Sequence, residues 1–578
     1  MARDPEAEHY ENAVEATAIS TNGLHRRLNN RHIQLIAIGG TIGTGLFISI
    51  GGGLAKGGPG SLLLCYILYS IVVSLVNNCA AEMMTHMPVA GGFVRLAGAW
   101  VDDALGFMIG WNFFFYEALL IPFEIVALNV VVSFWAPGIV EAGPTAGFCL
   151  GVIISYGYVT RLLSRSRFSN GGMLMCWKLY RLLNAVAVGI FGEAEFWLSG
   201  GKVVLMFMLF AFTFITMVGG NPEGDAYGFR YWSDPGAFAT YNSEGALGRL
   251  EGFMGCIVTA VFIIAGPDYI SMIAAEAKHP SLYLKTAFKT VYLRFGIFFI
   301  GSALAVGIVL PYNDPELVRI QIQGEGSSTA ATSPYVIAMT NMGIKVLPHV
   351  VNALLFTSIF SAGNTYTYCA TRALYSLAVQ GQAPAFLRKV TNKGIPIYCF
   401  AVTMLFPFLS FLSISKGSAR ALNILISLIA GGAIMNYTVI PITFIFYHRA
   451  CKAQGVDRRS LPYYGYFQPY GAWIALICVV LVGYTYGYQS FMPWDTETFF
   501  ANYTMQVCAP ILYVLWKVIK KTKVKKATEV DLVWERPMID IYEAHAMIHD
   551  PPNTFWGEMA QITGLSFVAR YFKGKKTG

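Results

Sequence analysis

Apolar runs of about twenty residues, each bounded by polar or Pro/Gly-rich turns, recur along this chain from Ile33 to Ile519. A helix needs about that length to cross a hydrocarbon core ~30 Å thick at a rise of about 1.5 Å per residue. The pattern predicts twelve spans: 33–53, 61–84, 106–135, 146–157 joined with 182–190, 196–218, 252–275, 290–311, 346–375, 396–415, 420–447, 470–490 and 501–519. An even count puts both termini on one side. Alternate connections hold Arg95, then Lys278, Lys285 and Lys289, then Arg388, Lys389 and Lys393, then Arg449, Lys452, Arg458 and Arg459. The opposite connections are longer in total and hold only Lys56, Arg230, Arg249, Arg319, Lys345, Lys416 and Arg420. Basic residues mark the cytoplasmic side, so the expected organisation is a cytoplasmic tail (1–31), a membrane domain (32–520) and a second cytoplasmic tail (521–578). Segments 219–248 and 311–334, which have turn composition, become the large outer connections.

Two spans break the pattern. The first, IQLIAIGGTIGTGLFISIGGG, holds Gly39, Gly40, Gly43 and Gly45 within seven residues. Each glycine costs a helix about 1 kcal/mol relative to alanine, and lipid supplies no water to satisfy freed peptide groups. The sixth, VTAVFIIAGPDYISMIAAEA, carries Gly266 and Pro267 at mid-span, where proline removes an amide donor and obstructs the preceding turn. The breaks lie five spans apart, so the second set of five is inverted relative to the first. Matched interruptions in inverted halves point to a transporter's midplane binding site. Opened helix ends there offer amides and partial positive charge, for which a carboxylate is the natural guest. The competing reading is close helix packing through small residues.

Composition agrees with a membrane protein: 55% of the 578 residues are hydrophobic and only 13% charged, about half the charged share of a soluble domain. The net charge of +8 follows from the basic cytoplasmic side and implies no nucleic acid partner. The first thirty residues lack an apolar core for a cleaved signal. Ten scattered cysteines with no CxxC pair, and His86, His279 and His448 without ligand spacing, imply no metal. An enzyme is not expected, since no nucleophile elbow, phosphate loop or loop-borne carboxylate pair is present.

Several ordered motifs carry a family likeness. LNNRHIQLIAIGGTIGTGLF, EMMTHMPVAGGF, LGFMIGWNFFFYEALLIPFEI, GEAEFWLSGGKV, EAKHP and NTYTYCATRALYSLAVQGQAPAFL resemble the fungal amino acid permeases of the amino acid-polyamine-organocation superfamily, from about residue 25 to about 525. The resemblance implies an all-α polytopic membrane protein of twelve transmembrane helices, a LeuT-like five-plus-five inverted repeat with helices 1 and 6 broken. It further implies uptake of an amino acid with a proton at the plasma membrane, no cofactor beyond that coupling proton, and the amino acid substrate and membrane lipid as partners, with the oligomeric state left open. Carried over by position, Thr41, Ile42, Gly43, Thr44 and Gly45 would bind the substrate carboxylate. Ala265, Gly266 and Pro267 would present carbonyls to its ammonium, with Phe262 as a gating aromatic. The family usually reads Gly-Thr-Glu where this chain has Gly266-Pro267-Asp268, which keeps the acid, loses the hydroxyl and leaves substrate choice open. Asn364, Thr365, Tyr368 and Asn436 stand at polar positions that the family arranges around the cavity; the alternative is interhelical hydrogen bonding.

Ionisable residues inside spans are costly and functional by default. Glu124, two residues after Pro122, is a candidate proton carrier or partner for a substrate cation, or else a structural carboxylate bonded at the proline bend. Lys202 begins the fifth span behind Gly200 and Gly201. In similar transporters a lysine there points at the broken first helix, where sodium-coupled relatives hold sodium; the alternative is snorkelling to the interface. Asp268 would either cap the second half of span six or serve coupling. Glu82, Glu117, Glu193, Glu195 and Arg372 are expected near the interfaces.

Span four is anomalous. Residues 158–181, YVTRLLSRSRFSNGGMLMCWKLYR, bring five basic residues into it. Without them, the flanks join as one span that reads on in the family pattern as YGLLNAVAVGIFGEAEFW. They read as an insertion within helix 4, such as a retained intron; a re-entrant or cytoplasmic excursion is the alternative. The functional expectation is a proton-coupled permease working by alternating access. The alternative is a transporter-like amino acid receptor that binds without transport.

Overall fold

The computed structural model describes residues 26, 28–39, 42–163, 187–322, 333–390, 396–416, 418–491 and 494–562. Among these residues every regular element is helical, and β-pairing is limited to two isolated bridges. In chain order the elements that matter are α1 (Asn30–Gly39), α2 (45–57), α3 (59–86), α4 (Gly92–Trp100), α5 (Asp103–Val132), α6 (Ala142–Leu163), α7 (Ala187–Met217), α8 (Gly245–Ile263), α9 (Pro267–Met272) and α10 (Pro280–Val309). There follow α11 (Pro315–Gln321), α12 (Pro334–Asn341), α13 (Leu347–Val379), an irregular α14 (Ile397–Ile414), α15 (Ser418–Gln454), α16 (Tyr470–Thr485), α17 (Thr496–Lys520), α18 (Arg536–His549) and α19 (Phe555–Ile562). Among the described residues, eight helical stretches are long and apolar enough to cross a membrane; α13 and α17 cover two further predicted spans, 346–375 and 501–519.

The bundle is built around α5. Its sequence is apolar on every side, as a fully enclosed helix requires, and 89% of its most apolar window is buried, against 28% for α14 and 39% for α16. The Asp102 carboxylate caps it, accepting the Ala104 amide at 3.2 Å. Around it pack α4, α13, α15 and α17. On the periphery, α14 and α16 turn Leu405, Phe408, Ile477 and Leu481 outward, the apolar surface expected of lipid-facing helices.

Both expected breaks are present. In span one α1 is described to Gly39 and the Ile42 amide still bonds the Ile38 carbonyl at 2.7 Å, but residues 42 and 43 are non-helical, and the chain resumes as a wide π-turn over Gly45–Ser49 before α2 continues. In span six α8 ends at Ile263, residues 264–266 are non-helical, and α9 starts on Pro267, whose missing amide suits a first helical position. Spans one and two turn at Gly58, whose φ of 75° favours glycine. A Cβ there would lie 2.8 Å from both the Ala237 oxygen and the Ala239 nitrogen, because the 219–244 connection closes over this turn.

Span four differs from expectation. Residues 187–190 were expected to finish it, but they open α7, which runs without a break to Met217. Residues 158–163 continue α6, and the rest of the expected insertion, 164–181, lies outside the described residues. The segment after α17 also gains definition: the chain from Lys525 to Glu558 crosses one face of the bundle. It bonds to Val101 and Ala99 (Lys525), Trp100 and His86 (carbonyls of Asp531 and Leu532), Arg95 (Glu535), Lys278 (Asp550) and the start of α1. The basic connections and both described ends of the chain therefore share that face.

Candidate functional site

The two breaks meet at a cavity of about 30 Å³. Its walls are Gly43, Thr44, Gly45 and Leu46 from the first break and Phe262, Ile263, Ala265 and Tyr269 from the second. Tyr116, Leu120, Phe123 and Glu124 of α5, with Tyr366 of α13, close it. A water needs roughly 10–15 Å³ by this measure, so the cavity has room for a water or two, and an amino acid fits only once the walls part.

Glycine serves two purposes here. A Cβ on Gly45 would sit 2.9 Å from Ile263 Cγ1 and 3.0 Å from Phe262 Cε1, so this glycine allows α2 to approach α8. A Cβ on Gly43 would meet only the Tyr366 hydroxyl at 3.2 Å and Glu124 Oε1 at 3.8 Å. Gly43 therefore keeps polar space open, and the packing and cavity readings each hold for one glycine. Between α8 and α9, the Ala265 amide and carbonyl make no hydrogen bond among the described residues. Phe262 stands over them, edge to face with Phe123 at 5.0 Å between ring centres.

Charge enters from α5 and α7. The Thr44 hydroxyl donates to Glu124 Oε2, tying the first break to the central helix. Lys202 is 1% exposed on a helix packed against α1, so its side chain stays inside the bundle, where its ammonium acts on the Glu124 carboxylate. Asp268 behaves as a local cap: Oδ1 accepts the amides of Tyr269 at 3.1 Å and Gly266 at 3.4 Å, and the Tyr437 hydroxyl at 3.4 Å. Its Oδ2 is buried without a hydrogen bond.

Gly43, Thr44, Gly45, Phe262, Ala265 and Glu124 are thus brought together from the residues expected by sequence. Ile42 is buried at the break without lining the cavity. Gly266 and Pro267 shape the second break but stand off the cavity wall. Thr41 lies outside the described residues. Asn436 accepts from Asn112 Nδ2 at 2.9 Å between α15 and α5, and Asn364 keeps a buried, unbonded Oδ1; neither lines the cavity. Thr365 bonds within its own helix, to Ser361 O at 3.2 Å. Tyr368 donates to Glu276 at 3.2 Å beneath the Arg372 guanidinium.

Sequence reasoning missed Tyr116, Leu120, Phe123, Tyr269 and Tyr366. The signal was available on α5, where Tyr116, Leu120, Phe123 and Glu124 follow the i, i+4, i+7, i+8 spacing of one helix face. Two charges expected at interfaces lie inside. Glu117 is fully buried with neither oxygen hydrogen-bonded, near Asp268 and Tyr269. Glu82 is buried as well, held by Arg458 Nε at 2.6 Å and the Gly465 amide at 2.8 Å.

Two spans interrupted at matching places, the free Ala265 peptide groups beside a common cavity and a buried carboxylate in its wall make this a polytopic membrane protein of the broken-helix type. Comparison with known proteins sharpens the class. The chain belongs to the amino acid permease family, whose pattern it matches over residues 32–529. It is 40% identical over 528 residues to the general amino acid permease AGP2 of Saccharomyces cerevisiae, covering 90% of this chain and 83% of that one. It is also 34% identical to the dicarboxylic amino acid permease of that yeast (91% and 82% covered) and 33% identical to its proline-specific permease (85% and 74%).

Proposed function

We propose that this permease takes amino acids up across the plasma membrane together with protons, by alternating access, with both termini in the cytoplasm. The observation that carries this reading is the Glu124 carboxylate in the cavity wall, bonded to Thr44 in the first break and acted on by the buried Lys202 ammonium. A proton acceptor at that position changes the hold on the broken helix each time it titrates. In this reading the amides from Thr41 to Gly45 take the substrate carboxylate and the free Ala265 carbonyl takes its ammonium. Phe262 covers the site, and the fixed Lys202 charge does the work that a sodium ion does in sodium-coupled relatives. Lipid and the amino acid are the partners. The relatives' names span general, dicarboxylic and proline substrates, so family membership leaves the side-chain preference open. No observation favours a receptor that binds without transport.

The test is accumulation of labelled amino acid by cells lacking their own uptake systems, repeated at raised external pH and with a protonophore. Accumulation that collapses under both treatments supports the reading. Uptake indifferent to both sinks the proton coupling, and absence of uptake sinks transport.

A further inference from the structure

A larger cavity lies beyond the one at the breaks. A space of about 220 Å³ opens between α2, α8, α15 and α17, about sevenfold the 30 Å³ of the midplane cavity. Their walls are continuous. Ser49 in the larger cavity follows Gly45 and Leu46 by about one helical turn, and Thr259 precedes Phe262 by the same interval. The larger space therefore sits one turn, ~5.4 Å, beyond the layer formed by Leu46, Phe262 and Ile263, on the side of the 219–248 connection.

Three charged residues line it: Lys56, Arg420 and Glu497. Arg420 Nη2 donates to Glu497 at 3.0 Å, so that among the described residues Lys56 is the lining charge outside an ion pair. Among the described residues no carboxylate pairs with Lys56; its one recorded neighbour of note is the Tyr241 ring, 5.8 Å from Nζ. Its stem lies along α8, where a Cβ on Gly255 would come within 3.0 Å of Lys56 Cδ. A lysine near a span end ordinarily snorkels to the headgroups. This one is laid over a glycine into a polar cavity that also takes in Thr259 and Asn502.

We infer that this outer cavity is a first-contact site for substrate, in which the Lys56 ammonium receives a carboxylate before the amino acid passes the Phe262 layer. The inference rests on the transport reading above and deepens it toward substrate class. An amino acid with an acidic side chain brings a second carboxylate and gains most. One with a cationic side chain meets a like charge at the far end of the cavity, roughly two to three helical turns beyond the breaks, and gains least. Lys56 makes no contact with the midplane cavity, so it sets how readily substrate arrives and leaves the translocation step alone.

The test compares wild type, Lys56→Gln and Lys56→Arg for uptake of labelled glutamate, leucine and arginine, normalised to surface expression. Lys56→Gln is expected to raise KM for glutamate on the order of five- to tenfold, the scale of one partly solvated ion pair. It should raise KM for leucine less, lower or preserve it for arginine, and leave kcat unchanged. Lys56→Arg keeps the wild-type order. An equal change for all three substrates, or none, overturns the inference while transport stands. Equilibrium binding of labelled glutamate to the purified full chain separates the two claims. Weaker binding in Lys56→Gln supports the site even if uptake fails, and unchanged binding refutes it.

Discussion

The Thr44 hydroxyl donates to the Glu124 carboxylate across the interface between the first helix break and the central helix α5. In the proposed mechanism the bond joins a segment that moves as substrate passes to the deeply enclosed helix α5, and protonation of Glu124 alters it. Replacing Glu124 by Gln keeps an acceptor for Thr44 but removes the charge. Uptake is expected to fall about tenfold or more, the scale of a hydrogen bond to a charged group, and to lose its dependence on external pH. Initial rates across a pH series check this; an unchanged pH profile removes Glu124 from coupling.

Glu124 and Lys202 are both buried, and the Lys202 ammonium acts on the Glu124 carboxylate. Breaking a directly paired buried charge costs about 3–5 kcal/mol, and a charge acting over a longer separation costs less. Lys202→Met is therefore expected to lower the yield of folded protein, and Glu124→Gln added to Lys202→Met to restore part of it. Monodispersity after detergent extraction and the thermal midpoint measure both effects. Additive losses in the double variant would show that the two charges are not coupled.

The two cavity glycines should respond differently. Gly45→Ala drives a methyl against Ile263 and Phe262 at 2.9–3.0 Å, with an expected cost of about 1–3 kcal/mol from overpacking and loss of uptake. Gly43→Ala meets only the ends of polar side chains at 3.2 Å or more. It should fold normally while raising KM by filling the cavity. Thermal unfolding measured beside uptake kinetics distinguishes the outcomes.

The described tail makes a testable clasp on α1. Glu558 Oε2 accepts the Arg31 amide at 3.0 Å, and burial pushes its carboxyl above the usual range. A carboxyl whose pKa is raised in the docked state favours docking in its protonated form. That contribution is complete below the ordinary carboxylate pKa of ~4.3 and fades as pH rises through the raised value. Once the intrinsic, base-catalysed pH dependence of amide exchange is divided out, acidification should accordingly raise the protection of residues 28–36, and Glu558→Gln should make that protection independent of pH. Deleting the tail from residue 531 should speed exchange there by about tenfold or more, because the Lys278–Asp550 and Ser281–Glu543 contacts go with it.

Much of this protein was legible in the order of its residues. Lipid permits few backbone solutions, so twenty-residue apolar runs had to be helices, and Gly39 to Gly45 and Gly266-Pro267 had to interrupt them. Glu124 and Lys202 stood out for the same reason, since a charge in an apolar run is rarely incidental. Tertiary packing decided the rest. It carried Tyr366 to the cavity while leaving its sequence neighbours Asn364 and Tyr368 elsewhere, drew Glu117 and Glu82 into the interior, and laid Lys56 in the wall of the cavity beyond the breaks. Local pattern records which groups a helix carries and their spacing around its axis. Which of its faces meets another helix depends on contacts between residues far apart in the chain.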